Sequence, residues 1–254
     1  MRSHDEDGIR LDKALVERGL VPSRARAQSL IRSKGVKVDG KIVADKDFIV
    51  DEETEVVLVT HDLRWVSRAG LKLEHALSFW HIDVQGKVAL DVGASTGGFT
   101  DVLVDAGIKK VYAIDVGHGQ LAEKLRANKK VINMEGIHIN TVTRATFKEK
   151  LDLVVIDVSF ISVEKVLPFI KDLLKKDGAL IVLIKPQFEV GKADIGKGIV
   201  IDPKLHAKVA GRIESVIHDL GFHVAGVVAS PILGGDGNKE FLLYAHLGEP
   251  KVLE

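Results

Sequence analysis

Asp91-Val92-Gly93-Ala94-Ser95-Thr96-Gly97-Gly98 closes the apolar run Val88 to Val92 and opens a segment of helical spacing, Phe99 to Ala106. A strand that turns through glycines into a helix marks an open α/β sheet, whose ligands bind where strands end and strand order reverses. Glycine at 93, 97 and 98 lets the main chain approach a ligand more closely than a Cβ would allow. The following strand, Val111 to Val116, carries Asp115 near its end, where a carboxylate can accept hydrogen bonds from two ribose hydroxyls. A nicotinamide site prefers G-x-G-x-x-G, whereas this loop reads G-A-S-T-G-G. It also begins with Asp91, a carboxylate that repels a pyrophosphate and suits the amino-acid end of S-adenosylmethionine. A tight turn with incidental glycines is the bland alternative, and the acid closing the next strand weighs against it.

The pattern continues downstream as alternating strands and helices. Strands are expected at Val131 to Met134, Leu153 to Val158 and Ala179 to Lys185, and helices at Leu121 to Ala127, Val163 to Lys175 and Pro203 to Leu220. A glycine-rich loop, Glu189 to Asp202, contains Lys192 and Lys197 and is either a lid or a plain loop. The last strands, near His223 to Ala229 and Glu240 to His246, are joined by a short loop and should pair antiparallel. Upstream, a helix from about Arg68 to Trp80 leads into the first strand. This alternation predicts a doubly wound, Rossmann-like, largely parallel sheet.

Residues 10 to about 60 read differently. Leu11, Ala14 and Leu15 form a helical stripe ended by Gly19. Ser23 is placed to cap a second helix, with Ala27, Leu30 and Ile31 inward and Arg24, Gln28 and Arg32 on an exposed face. Val36-Lys37-Val38, Asp39-Gly40, Lys41-Ile42-Val43 is a hairpin signal suited to a type I′ turn, and Glu55 to Thr60 adds a strand. The expected division is a small α+β domain over 1–60, a linker over 61–67 and the sheet domain over 68–254.

The 254 residues are 46% apolar and carry a formal net charge of +0. That neutrality is local cancellation, because seven Lys/Arg residues and one acid lie between Arg18 and Lys41, followed by Asp47, Asp51, Glu52, Glu53 and Glu55. Cysteine is absent, which excludes disulfides, thiolate addition to a pyrimidine and cysteine-held zinc or iron-sulfur sites. The histidines at 81, 118, 206 and 223 show no metal-ligand spacing, and no metal is expected. With no signal-like N-terminus and no apolar run near the roughly 20 residues of a spanning helix, the expectation is a cytoplasmic protein without stable membrane association.

Lys72, Asp157, Lys185 and Glu240 are charges set at or near the ends of apolar elements, where burial is costly unless they pair with one another. Two lysines near two carboxylates could manage the proton of a hydroxyl nucleophile, desolvation and like charge lowering one lysine from its ordinary pKa of about 10.4. Two unrelated surface ion pairs are the alternative. Together with Arg10-Leu-Asp-Lys13, Val66-Ser-Arg-Ala-Gly-Leu-Lys72, Leu90 to Thr100, Ile156-Asp-Val-Ser-Phe160, Lys185-Pro-Gln-Phe-Glu189 and Gly237-Asn-Lys-Glu240, the chain resembles the TlyA-type hemolysin and ribosomal RNA methyltransferase family. Its second part is similar to FtsJ/RrmJ ribose 2′-O-methyltransferases, and the likeness runs from Arg10 to about His246. The resemblance implies a Lys-Asp-Lys-Glu tetrad at Lys72, Asp157, Lys185 and Glu240. It implies S-adenosylmethionine contacts from Asp91, Gly93, Ser95, Thr96, Gly97, Gly98, Phe99, Asp115 and Asp157, and an N-terminal αL-type RNA-binding domain. The chain departs from the pattern at Met134-Glu-Gly-Ile-His-Ile139, where an Arg-Thr-Asn-like run is expected beside the adenine.

The implied activity is ribose 2′-O-methylation of ribosomal RNA, free or within ribosomal subunits, and not of DNA. Amino-group methyltransferases carry a D/N-P-P-aromatic motif where this chain has Asp157-Val-Ser-Phe160. A hemolysin-like membrane-active protein or a non-catalytic RNA binder is the competing reading, and neither needs the cofactor loop and tetrad. Arg10, Arg24, Arg26, Arg32, Lys34, Lys37 and Lys41 are the expected phosphate contacts. If about four of them engage phosphates, RNA affinity should fall with the logarithm of salt at a slope near −3 to −4. Filter binding across a salt series measures this, and a salt-independent affinity would refute the assignment.

Overall fold

The computed structural model describes residues 8–21, 24–32, 35–58, 64–191, 195 and 198–248, with the backbone alone at 25, 26 and 29. Ser23, Lys34, the side chain of Arg26, residues 61–63 of the linker, Lys192 and Lys197 lie outside the described residues. The chain divides into two compact units between Arg64 and Trp65.

In the N-terminal unit, β1 (Ile9–Arg10) runs into α1 (Leu11–Glu17), followed by α2 (Arg24–Arg32). Then come β2 (Val36–Val38), β3 (Lys41–Ile42), β4 (Ile49–Val50) and β5 (Val56–Leu58). Leu11, Leu15, Leu30, Ile31, Val36 and Val38 form its core. Asp39 and Gly40 both take positive φ, 46° and 75°, as a type I′ turn requires, and β3 pairs back on β2. Gly19, at φ 67°, follows α1 as a C-terminal cap. The pairing of β1 with β4 has no periodicity to announce it, since each strand has two residues.

The second unit begins with α3 (Ala69–Phe79) and continues through β6 (Val88–Val92), α4 (Gly98–Asp105), β7 (Lys110–Asp115), α5 (Glu123–Arg126), β8 (Val131–Glu135) and β9 (Leu151–Ile156). It ends with β10 (Leu174–Ile184), α6 (Pro186–Glu189), α7 (Pro203–Asp219), β11 (His223–Ala229) and β12 (Phe241–His246). These strands make one sheet in the order β11-β12-β10-β9-β6-β7-β8. It is parallel from β8 to β10, while β12 is antiparallel to both β10 and β11. The chain leaves β6 toward β7 on one side and returns to β9 on the other, so strand order reverses between β6 and β9. Apolar residues cover both faces: Leu90, Val154, Ile156 and Val182 belong to one core layer and Ala89, Leu153, Val155 and Ile181 to the other. Among the described residues, no helix is long and apolar enough to cross a membrane.

Two local expectations need correction. The segment read as one helix, Val163 to Lys175, is three 3-10 turns at Val163–Lys165, Leu167–Phe169 and Lys171–Leu173, and β10 already starts at Leu174. Pro168 explains the break: it has no N–H to donate, and its ring clashes with the carbonyl four residues earlier in an α-helix. The helix expected over Leu121 to Ala127 shrinks to Glu123–Arg126, because Ala122 has a non-helical ψ of 141° and its N–H bonds to Thr96 O at 3.1 Å.

Leu90, fully buried in the strand at the centre of the sheet, gives the packing a direct test. Leu90→Ala is expected to destabilise the second unit by about 2–5 kcal/mol. Both tryptophans, Trp65 and Trp80, lie in that unit, so urea unfolding followed by their fluorescence reads it selectively; an unchanged midpoint would contradict the core assignment.

Candidate active site

At the end of β6 the backbone bends through Gly93, whose φ is 84° and whose absent Cβ would lie 2.4 Å from the carbonyl oxygen of Asp157. Any other residue would push β6 and β9 apart at the point where strand order reverses. Gly97, at φ 98°, precedes α4, and a Cβ there would strike Leu125. Ser95 also has a left-handed φ of 49°, a conformation that costs a residue with a side chain about 1 kcal/mol or more. Its N–H offsets that cost by donating to Asp115 Oδ2 at 2.8 Å, while Asp115 Oδ1 accepts from Gly117 N at 2.7 Å. Asp115 thus holds both loops that flank the end of β7.

Asp91 is wholly buried. Thr100 Oγ1 donates to its Oδ2 at 2.7 Å, and its Oδ1 has no hydrogen-bond donor among the described residues. Burial, against the Thr100 hydrogen bond and reinforced by the negative charges of Asp157 and Asp115, pushes its pKa up to about 7. Thr96 contributes its carbonyl to Ala122 N at 3.1 Å. Phe99 is 2% exposed as a whole residue and packs in the core cluster of Leu73 and Leu103, so it stands behind the loop and does not line the cavity.

A cavity of about 670 Å³ opens beside this loop, with Gly93, Ser95, Asp115 and Asp157 on its polar wall. Asp91 is not on that wall; it lies one layer beneath. Val116, Ile137, Ile139, Val158 and Phe160 supply apolar surface, suited to the faces of a planar ring. Met134 packs against the core, whereas Ile137 to Asn140 line the cavity. Glu135 was not singled out in the sequence, yet it organises this wall. It accepts from Gln120 N at 2.6 Å, Leu121 N at 2.9 Å and Asn133 Nδ2 at 2.9 Å. The Asn133 hydrogen bond, then these backbone amides, outweigh burial and hold its carboxyl at about 2.

The four charged residues come together. Lys72 on α3 and Glu240 just before β12 are 2.5 Å apart, with side chains 9% and 3% exposed. Asp157, one residue past β9, is 2.6 Å from Lys185, one residue past β10, and Lys185 Nζ also donates to Ser159 Oγ at 2.8 Å. Burial alone would raise the pKa of Asp157, but the charges of Lys185 and then Lys72 hold it below the ordinary range. The field of Lys72 on Asp157 joins the two pairs into one group. Gly234 gives Glu240 its space, since a Cβ there would lie 2.4 Å from Glu240 Oε1. The fully buried Asn238 fixes the preceding turn, accepting from Val200 N and donating to Gly198 O, each at 2.9 Å. Ser159 and Asn238 both stand inside motifs visible in the sequence, though their partners are remote in it.

In the N-terminal unit the expected exposed stripe is partly drawn inward. Asp12, fully buried, accepts from Arg10 at 3.1 Å, Arg24 at 3.1 Å and Gln28 at 2.6 Å. Arg10 also pairs with Asp47 at 2.7 Å. Arg24 still has a 57% exposed side chain, and Arg32, Lys37 and Lys41 are exposed.

Residues 65–247 match the family described as FtsJ-like methyltransferase, and residues 9–56 match the S4 domain. The chain is 43% identical over 237 residues to the 16S/23S rRNA (cytidine-2′-O)-methyltransferase TlyA of Mycobacterium tuberculosis, covering 92% of this chain and 88% of that protein. It is 40% identical over 238 residues to Hemolysin A of Brachyspira hyodysenteriae, covering 93% and 99%. Among solved structures, a protein named as a hemolysin from Streptococcus thermophilus is similar with a TM-score of 0.76 at 38% identity, over 96% of this chain and 90% of that one.

The carboxyl group beneath the loop sets a pH dependence. A folded-state pKa of about 7, above the ordinary aspartate value of about 4, means that folded protein holds this proton more tightly than the unfolded chain. The resulting cost is absent below about pH 4, grows as pH rises, and is complete above about pH 7. Without cofactor, Asp91→Asn is therefore expected to gain stability relative to the wild type as pH rises through that window. Urea midpoints measured from pH 4 to 8 decide it; a constant difference would mean that Asp91 is ionised without penalty.

Proposed function

This chain belongs to the FtsJ-like methyltransferase family, and from that premise we propose that it methylates a ribose 2′-hydroxyl of ribosomal RNA. The observation that carries the proposal is the Lys185–Asp157 pair joined to Lys72–Glu240, of which Asp157 lines the cavity. RNA as substrate is supported by the S4 domain, and a cytidine ribose in ribosomal RNA by the name of the Mycobacterium tuberculosis relative. Such a substrate would be met in the cytoplasm, as free RNA or as a ribosomal subunit.

The residues present fit S-adenosylmethionine. The glycine cradle at 93 brings the main chain to the cavity, and Asp115 faces it from the end of the next strand. The apolar wall at Val116, Ile137 and Ile139 matches a purine. Asp91, one of whose oxygens lacks a donor among the described residues, lies beneath the loop and in its ionised form would favour the ammonium group. When bound, S-adenosylmethionine supplies an electrophilic methyl group on a sulfonium.

The chain's task is to bring a hydroxyl in line with that methyl and to take away its proton. Lys185 Nζ, in its neutral form, accepts the hydroxyl proton as the C–O bond forms. Asp157, in ion-pair contact with Nζ at 2.6 Å, and Ser159, which accepts from Nζ at 2.8 Å, fix the position of its lone pair. Lys72, paired with Glu240 at 2.5 Å, helps to hold Asp157 ionised. Arg10, Arg24, Arg32, Lys37 and Lys41 of the N-terminal unit give affinity through phosphates, a sequence-independent contribution. Arg26 and Lys34 join them in this reading.

Labelled methyl transfer onto ribosomal RNA and intact subunits tests both substrate and reaction. Alkali cleaves RNA only beside a free 2′-hydroxyl, so the expected product leaves one resistant phosphodiester at the modified nucleotide. A fully alkali-labile methylated product would place the methyl on a base and overturn the reading. Lys185→Ala is expected to lower kcat by roughly 10² to 10⁴ with little change in cofactor affinity. Lys185→Arg should restore almost nothing, because a guanidinium stays protonated.

A further inference from the structure

We propose that Glu189 is a positioning residue for methyl transfer, fixing the loop that carries Asp157 and Ser159 against the turn that carries Lys185. Glu189 ends α6, one helical turn after Lys185, and its side chain is 2% exposed. Nothing in the proton transfer uses it, so a carboxylate buried here needs another explanation. Its Oε1 accepts from Val163 N at 2.8 Å and its Oε2 from Ser162 Oγ at 2.7 Å. Arg212 on α7 donates to the Glu189 carbonyl at 2.7 Å, lies 3.4 Å from Oε2, and reaches Glu164 Oε1 at 3.1 Å.

These contacts clamp one segment at its far end. At its near end Asp157 N donates to Val92 O at 3.0 Å; at its far end the Glu189 carboxylate holds Ser162 and Val163. Between the two anchors lie Ser159, which receives Lys185, and Phe160, which has a left-handed φ of 65° and rests 5.2 Å from the ring of Phe188. The Phe160 side chain is exposed, so its left-handed φ depends on the backbone to either side, and the Glu189 bonds to Ser162 and Val163 hold one of those sides. Because Lys185 is the N-cap of the short helix that Glu189 ends, the same carboxylate bears on both sides of the 2.6 Å Lys185–Asp157 contact. Cutting it releases the loop relative to the lysine, and a displacement of about 1 Å at a reacting group can cost on the order of 100-fold in rate.

The inference rests on the assignment of Lys185 and Asp157 to methyl transfer, and the test separates the two. It compares Glu189→Ala, Glu189→Gln and Ser162→Ala by kcat at saturating S-adenosylmethionine and RNA, per folded protein, with thermal melting recorded in parallel. Glu189→Ala is expected to lower kcat by about 10- to 100-fold. Glu189→Gln is expected to recover most of it, since its amide oxygen can accept from Val163 N and its amide nitrogen can donate to Ser162 Oγ. Ser162→Ala, which cuts one anchor, should lower kcat by about threefold to tenfold, and should add nothing to Glu189→Ala in the double variant. A purely structural role would shift the melting temperature and leave kcat of the folded fraction unchanged, and that result overturns the proposal. Equal losses in Glu189→Ala and Glu189→Gln overturn it too, by assigning the effect to the Arg212 charge. If Glu189→Ala does not fold, Ser162→Ala and Glu189→Gln decide, and wild-type kcat in Ser162→Ala counts against the clamp. An alkali-labile product from the wild type would sink the ribose reading whatever the variants do.

Discussion

A carboxyl group ionised at the carboxyl end of an apolar sheet loses more hydration than packing returns, and the second unit places three carboxyl groups there. Asp91 and Glu240 are buried and Asp157 nearly so. Each is managed differently. Glu240 has Lys72 in contact, and Asp157 has Lys185 in contact with Lys72 behind it. Asp91 has a hydroxyl and, among the described residues, no cation, and burial raises its proton affinity. The glycine at 93 makes the crowding possible, since only a residue without Cβ lets β6 and β9 approach so closely at the crossing. The site is therefore a consequence of the strand order: a parallel sheet that reverses direction opens a crevice, and the charges at its ends must settle among themselves.

The N-terminal unit uses the same device on a smaller scale. Asp12 is fully buried, and hydrogen bonds from Arg10, opposed by desolvation and then joined by Gln28 and Arg24, hold its carboxyl far below the usual range. One acid so placed gathers two guanidinium groups that would otherwise repel each other. Their side chains remain 41% and 57% exposed, and so still able to meet phosphates. The cost is freedom: Arg24 and Gln28 belong to a network rather than to a plain solvated stripe.

What the sequence disclosed follows from how local each feature is. The turn at Asp39-Gly40 and the bend at Gly93 are set by backbone conformations that few residues adopt, so the letters alone announce them. The sheet strands are apolar on both faces, as sheets covered on both sides require, and they stand out. A run of apolar residues at helical spacing announces a helix over Val163 to Lys175, and Pro168 within it breaks that helix into short turns. Glu135, Asn238 and Ser159 were not legible, because each acquires its role from partners that tertiary folding brings to it. Asn238 bonds to Gly198 and Val200, some 40 residues away in sequence, and no periodicity encodes such a pairing. The cavity wall from Ile137 to Asn140 belongs to no regular element beyond a single 3-10 turn starting at Ile139.

Two ion pairs, rather than a single lysine, make sense once charge is followed through the proposed transfer. With both lysines protonated, Lys72, Asp157, Lys185 and Glu240 sum to zero, a state that a dry site tolerates. With Lys185 neutral and ready to accept a proton, the group carries one negative charge. A bound sulfonium would supply the balancing positive charge, and the proton taken by Lys185 would restore neutrality among the four side chains once the methyl had been given up. The net charge of the site would then be the same before and after transfer. In a medium of low dielectric this matters, because isolated charge is costly there while a displaced charge beside fixed partners is not. A lone lysine without Asp157 would be left as an unpaired buried ammonium after each transfer. Asp157 without Lys72 would lose the second cation that keeps it ionised while Lys185 is neutral.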